Sequence, residues 1–118
     1  MEKNVMEMSM LYDFYGELLT ERQKSIMQYY YGDDYSLAEI AAETGTSRQA
    51  VYDTVRKAEK ALRGYEEKLG LVSRFMRTGA ELRKASLLID EVMGGCSGAN
   101  AEKLRSVQKI IDGLEEEL

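Results

Sequence analysis

Ser36-Leu-Ala-Glu-Ile-Ala-Ala-Glu-Thr-Gly45-Thr-Ser47-Arg-Gln-Ala-Val-Tyr-Asp-Thr-Val55 is the stretch that decides the fold. Ser36 and Glu39 stand three apart ahead of an apolar run. That spacing suits a capping box, in which the serine oxygen accepts from the N3 amide and the N3 side chain reaches back. The pair opens a short helix over Leu37–Glu43, with Leu37, Ile40 and Ala41 facing inward. Thr44-Gly45-Thr46 is a tight turn, because glycine takes positive φ at little cost. Ser47 then caps a second helix, on which Val51, Val55, Ala58 and Leu62 recur at steps of three and four. Ala41 is small where the two helices cross. A short helix, a glycine turn and a second helix within about twenty residues form a helix-turn-helix, here spanning about residues 36–63.

Upstream, Val5, Met8, Tyr12, Tyr15 and Leu19 share one face of a helix over about Asn4–Leu19, and Leu11, Phe14 and Leu18 widen it. Thr20-Glu-Arg-Gln23 is a further capping box. It precedes a helix over about Glu21–Tyr31 that ends in Tyr29, Tyr30 and Tyr31. Three successive side chains point roughly 100° apart. One or two of these tyrosines therefore belong to the core with hydroxyls at the surface, and base stacking is the alternative use. Downstream, Leu62, Tyr65, Leu69, Val72, Met76 and Gly79 keep the three-four alternation past Gly64, where the helix continues or kinks, with a break expected at Thr78-Gly-Ala-Glu81. Leu82, Ala85, Ile89 and Val92 form the next stripe. Gly94–Asn100 is a linker with Asn100 as a cap, and Leu104, Val107, Ile111, Leu114 and Leu118 line a last helix. The expected fold is all-α, with no strand. A helix-turn-helix domain occupies residues 1–70, and a C-terminal helical extension over 71–118 either dimerises or caps the core.

The bulk numbers exclude several classes. A chain of 118 residues is one ordinary domain in length. No apolar run approaches the ~20 residues of a membrane span, and the N-terminus lacks a secretory core segment. One cysteine, Cys96, precludes an intrachain disulfide, and with no basic neighbour it reads as an unactivated thiol. These features point to the cytoplasm. There is no histidine, so the commonest general base and metal ligand is missing. A single thiol cannot build a thiolate zinc site. No metal, cofactor or catalytic residues are expected, and the chain is not read as an enzyme.

Charge singles out one region. The chain carries a net −5, yet residues 47–63 hold five basic and two acidic side chains. Arg48, Arg56, Lys57, Lys60 and Arg63 are that basic island. The outer face of the second helix presents Ser47, Arg48, Gln49, Tyr52, Asp53 and Arg56, where a recognition helix meets base edges in a major groove. Arginine pairs with guanine, glutamine with adenine, and aspartate accepts from cytosine. Ser36, Lys57 and Lys60 are the expected phosphate contacts. The alternative is a solvated face, or one that meets a protein partner.

Leu11-Tyr-Asp-Phe-Tyr15, Leu19-Thr-Glu-Arg-Gln23, Tyr30-Tyr-Gly-Asp-Asp-Tyr-Ser-Leu-Ala-Glu-Ile-Ala41, Ser47-Arg-Gln-Ala-Val-Tyr-Asp53 and Tyr65-Glu-Glu-Lys-Leu69 together resemble the YlxM family of helix-turn-helix proteins. The helix-turn-helix part of that family looks like region 4 of bacterial sigma factors. The resemblance therefore implies a sigma region 4-like bundle followed by long C-terminal helices. It also implies a bacterial cytoplasmic protein whose gene sits beside those for the signal recognition particle and its receptor. It supplies no catalytic residues, shows no second sigma-like domain, and does not reach the tail after about Phe75.

Two functions follow as expectations. One is a DNA-binding regulator. The other is an adaptor that contacts signal recognition particle protein or RNA through the same basic helix. The seam Leu104, Val107, Ile111, Leu114 and Leu118 further predicts a homodimer built from the C-terminal half, against a fold-back of the last helix within one chain.

Overall fold

In the structure, a computed structural model that describes residues 4–118, every regular element is helical. The main helices are α1 (Val5–Tyr15), α2 (Glu21–Met27), α3 (Leu37–Thr44), α4 (Arg48–Leu69), α5 (Leu71–Met93) and α6 (Ala99–Glu117). The chain divides into two compact units, one ending at Val72 and the other running Ser73–Leu118. The fold is all-α.

α4 is the spine of the first unit. Its Val51, Val55, Ala58 and Leu62 are fully buried, at the positions their spacing assigns to the inner side. They meet Met8, Leu11 and Tyr15 of α1, Ile26 and Met27 of α2, and Ile40 of α3 in one apolar core. Each large aliphatic side chain removed from water here contributes about 1.5–3 kcal/mol.

The helix starts follow the local chemistry. Thr20 accepts from the Gln23 amide at 3.1 Å while the Gln23 side chain accepts from the Thr20 amide at 3.0 Å. Ser36 and Glu39 form the same reciprocal pair at 3.1 and 3.0 Å. Asn4 caps α1 by accepting from Glu7 at 3.2 Å.

Several ends differ from the sequence reading. The first helix stops at Tyr15 and tightens into a 3₁₀ turn over Gly16–Leu18. The second widens into a π-type turn over Gln28–Gly32, closed by the Asp33 amide donating to the Gln28 carbonyl at 2.9 Å. That turn buries Tyr30, stacks Tyr29 on Tyr35 with centroids 5.1 Å apart, and aims the Tyr31 hydroxyl at Glu59 rather than at solvent.

α4 runs straight through Gly64 and stops at Gly70 instead. Gly70 has φ +62°, and its amide donates to the Glu66 carbonyl at 2.8 Å. The Tyr15 hydroxyl donates to Glu66 at 2.6 Å and accepts from the Leu71 amide at 3.0 Å. The Glu66 carboxylate also accepts from the Val72 amide at 3.0 Å. Two orphan amides at the start of α5 are thus satisfied by side chains of α1 and α4. α5 then passes through Thr78-Gly-Ala-Glu81 without the expected break.

In the second unit, α6 begins at Ala99 with Gly98, not Asn100, in the capping position. It returns alongside α5. Gln108 donates to Asp90, and a Cβ built on Gly79 would lie 3.9 Å from the Leu118 side chain. Ala101 and Ile111 are the buried residues of α6.

The turn between α3 and α4 is held by Gly45 at φ +68°. The Thr44 hydroxyl donates to the Ile40 carbonyl at 2.8 Å, and the Thr46 amide donates to the Ala41 carbonyl at 3.1 Å. A Cβ at Gly45 would meet nothing within 4 Å, so the cost of substitution lies in the backbone alone. Gly45→Val should therefore destabilise the first unit by about 2 kcal/mol, and Gly45→Asn by less than half as much. Thermal melts followed by circular dichroism check this. Equal midpoints for the two variants would contradict a left-handed turn.

Candidate nucleic-acid interface

The hydroxyl of Ser47 accepts from the Ala50 amide at 3.0 Å and so starts α4. Its oxygen accepts in that role, and its hydroxyl proton remains available to a ligand. From Ser47 the helix projects Arg48, Gln49, Tyr52, Asp53 and Arg56 over its first three turns, at the spacing of one helical face. All are exposed except Tyr52, which is half-buried. Leu37, Arg48, Gln49 and Tyr52 line one shallow groove where the starts of α3 and α4 meet. Periodicity assigns Leu37 inward, and its side chain packs against the core. It is half-buried and forms the apolar wall of this groove, a role that spacing alone does not reveal.

Two of the candidate readers engage each other, with the Gln49 amide donating to the Asp53 carboxylate at 3.0 Å. This leaves Gln49 a carbonyl oxygen and one N–H, the pair that an adenine edge requires. It also directs part of the Asp53 charge to an internal donor.

Further along α4, Arg56, Lys57, Lys60, Arg63, Gly64 and Glu67 line a second, open groove. The basic island is not uniform there. Arg63 donates to Glu7 of α1 at 3.1 Å, and that carboxylate raises the arginine's pKa and holds it charged. Arg56 lies 4.0 Å from Glu59, whose side chain is 5 % exposed and accepts from the Tyr31 hydroxyl. Burial first, and then the bond to Glu59, raises the Tyr31 pKa. Lys57 and Lys60 are exposed on the same stretch.

Ser36 sits at the start of α3, next to Leu37, and its oxygen accepts from Glu39. Its hydroxyl proton remains available to a phosphate. Glu39 and Glu43 are exposed on α3 and line a separate depression with Tyr35 and Ala42. Positive charge is therefore carried by α4 and negative charge by α3.

The geometry fits the comparisons with known proteins. The family model described as "Putative helix-turn-helix protein, YlxM / p13 like" matches residues 1–90. The chain belongs to this family, UPF0122. It is 43 % identical over 109 residues to a UPF0122 protein of Desulforamulus reducens, covering 92 % of this chain and 93 % of that one. A UPF0122 protein of Halalkalibacterium halodurans is 41 % identical, covering 93 % and 95 % respectively. One from Listeria monocytogenes is 46 % identical over 92 residues, covering 72 % and 84 %. The UPF0122 match takes in the whole helix-turn-helix, both grooves and most of α5, and it stops before α6. No helix among the described residues is long and apolar enough to cross a membrane.

Proposed function

We propose that this protein is a DNA-binding regulator that places the N-terminal half of α4 in the major groove. The supporting observation is a coincidence of two independent features. The helix that follows the left-handed Gly45 turn is also the helix with the exposed basic residues Arg48, Arg56, Lys57 and Lys60. In this reading Arg48 pairs with a guanine edge, Gln49 with an adenine, and Asp53 accepts from a cytosine amine. Arg56 completes the base-facing row. Tyr52 and Leu37 form an apolar wall suited to a thymine methyl.

Ser36, Lys57 and Lys60 hold the phosphate backbone and set the register. The acidic outer side of α3 disfavours any docking that lays Glu39 and Glu43 on phosphates, which narrows the approach to the α4 side. A single motif reads few base pairs, so the reading includes a cytoplasmic homodimer joined through the C-terminal helices, with half-sites about 34 Å apart.

Selection from a random duplex pool, followed by competition with unrelated duplex, tests this. The expected result is an enriched sequence that resists competitor by at least about a thousandfold. Recovery of no preferred duplex would contradict DNA regulation. It would favour an adaptor that meets protein or RNA, such as a signal recognition particle component.

A further inference from the structure

α6 carries two faces, and α5 accounts for one of them. Ala101, Leu104, Gln108 and Ile111 form the side turned to α5, fixed by the Gln108–Asp90 hydrogen bond and by the burial of Ala101 and Ile111. Ile111, which the sequence reading placed in a dimer seam, is therefore already occupied. A second stripe lies about 120° further round the helix. It consists of Lys103, Val107, Ile110, Leu114 and Glu117, at steps of four, three, four and three. Val107, Ile110 and Leu114 are 42, 62 and 45 % exposed. Lys103 and Glu117 are exposed, with no ion-pair partner among the described residues.

We infer that this stripe is the surface on which two copies of the chain meet, with their α6 helices antiparallel and Ile110 on the two-fold axis. The inference rests on the homodimer part of the proposed function and supplies its interface. Two features favour a second copy over another occupant. The spacing is that of an a/d seam. The stripe is also complementary to its own reversal. With Ile110 facing the partner's Ile110, Lys103 faces the partner's Glu117, and Val107 lies one residue off the partner's Leu114, within side-chain reach.

The rest of α6 agrees. Residues 110–118 carry Asp112, Glu115, Glu116 and Glu117 and no basic residue, whereas the earlier turns carry Lys103, Arg105 and Lys109 against Glu102. An antiparallel partner sets the acidic end of each helix on the basic end of the other. A parallel one sets lysine on lysine and glutamate on glutamate. The isologous symmetry is that of common homodimers.

Sedimentation of the full-length chain is the test, over a concentration series reaching about 0.2 mM because a seam of two heptads is weak. The parent is expected to dimerise. Ile110→Lys should raise the dissociation constant at least about tenfold, since it sets two ammonium groups on the axis. Lys103→Glu and Glu117→Lys should each weaken the dimer by about threefold, and the two together should return it to the parental value. All three positions are exposed, and circular dichroism checks that the variants fold.

A monomeric parent overturns both the seam and the dimer. A dimer that Ile110→Lys leaves intact overturns the seam and moves the interface elsewhere. A double charge swap weaker than either single swap overturns the antiparallel arrangement.

Discussion

Leu62→Ala should destabilise the helix-turn-helix unit by about 2–5 kcal/mol, the largest loss expected from any single change considered. Leu62 is fully buried in the core that joins α1, α2 and α3 to α4. Removing three carbons there loses their transfer energy and leaves a cavity, because the other core residues, Met8, Leu11, Tyr15 and Ile26 among them, are held by their own helices. In the proposed function α4 also carries the recognition face, so the change should weaken DNA binding only in proportion to unfolding. Chemical denaturation gives the stability and binding at low temperature gives the affinity. A loss below about 1 kcal/mol would show that α4 is not the organising element.

Tyr31→Phe should cost about 2 kcal/mol, although it removes a single oxygen. Glu59 is almost entirely buried, accepts from the Tyr31 hydroxyl on one oxygen and lies 4.0 Å from Arg56 on the other. Without the hydroxyl, a buried carboxylate keeps its desolvation cost and loses its nearest donor. Changing both partners, Tyr31→Phe with Glu59→Leu, should recover part of the loss, since no buried charge is then stranded.

The pair also gives a pH signature. Burial and the bond to Glu59 place the Tyr31 pKa above its ordinary 10.0. Burial and then the bond to Glu66 do the same for Tyr15. In the unfolded chain both ionise near the ordinary value, so their contribution is complete below about pH 10 and falls as pH rises through the folded values. Tyr31→Phe should flatten that alkaline decline. Denaturation midpoints measured from pH 8 to 11 decide it, and an unchanged slope would contradict the assignment.

What was legible in the sequence was what local chemistry fixes. The Thr20–Gln23 and Ser36–Glu39 pairs announce their helices because both partners lie within one turn. The inner row Val51, Val55, Ala58 and Leu62 follows from helical period alone. Gly45 is readable because it stands between two capped apolar patterns.

Other features depend on residues far apart in the chain. The apolar phase runs on through Leu69, Val72 and Met76, which hides the local stop signal of Lys68 and Gly70. The start of the next helix is satisfied from afar, by the Tyr15 hydroxyl 56 positions from the Leu71 amide that donates to it. Thr78-Gly-Ala-Glu81 spells a capping box, yet a helix already continuous on both sides has no orphan amides there to cap. Arg63 counts with the basic island in composition but is committed to Glu7, and buried Glu59 looks like any surface glutamate on a helix. At the site itself, the row from Arg48 to Arg56 was visible as spacing. The Gln49–Asp53 bond and the apolar wall from Leu37 came only from the geometry.

In the proposed function α4 reads bases with its first turns and holds phosphates further along. Its most direct test is a set of anisotropy titrations on the selected duplex and on a scrambled one, at several salt concentrations. Arg48→Ala with Gln49→Ala should lose roughly 1–3 kcal/mol per contact on the selected duplex and little on the scrambled one. Lys57→Ala with Lys60→Ala should weaken both duplexes alike and reduce the salt slope by about 2. If both double variants bind the selected duplex as tightly as the parent, with the same salt slope, α4 is not the DNA-reading helix.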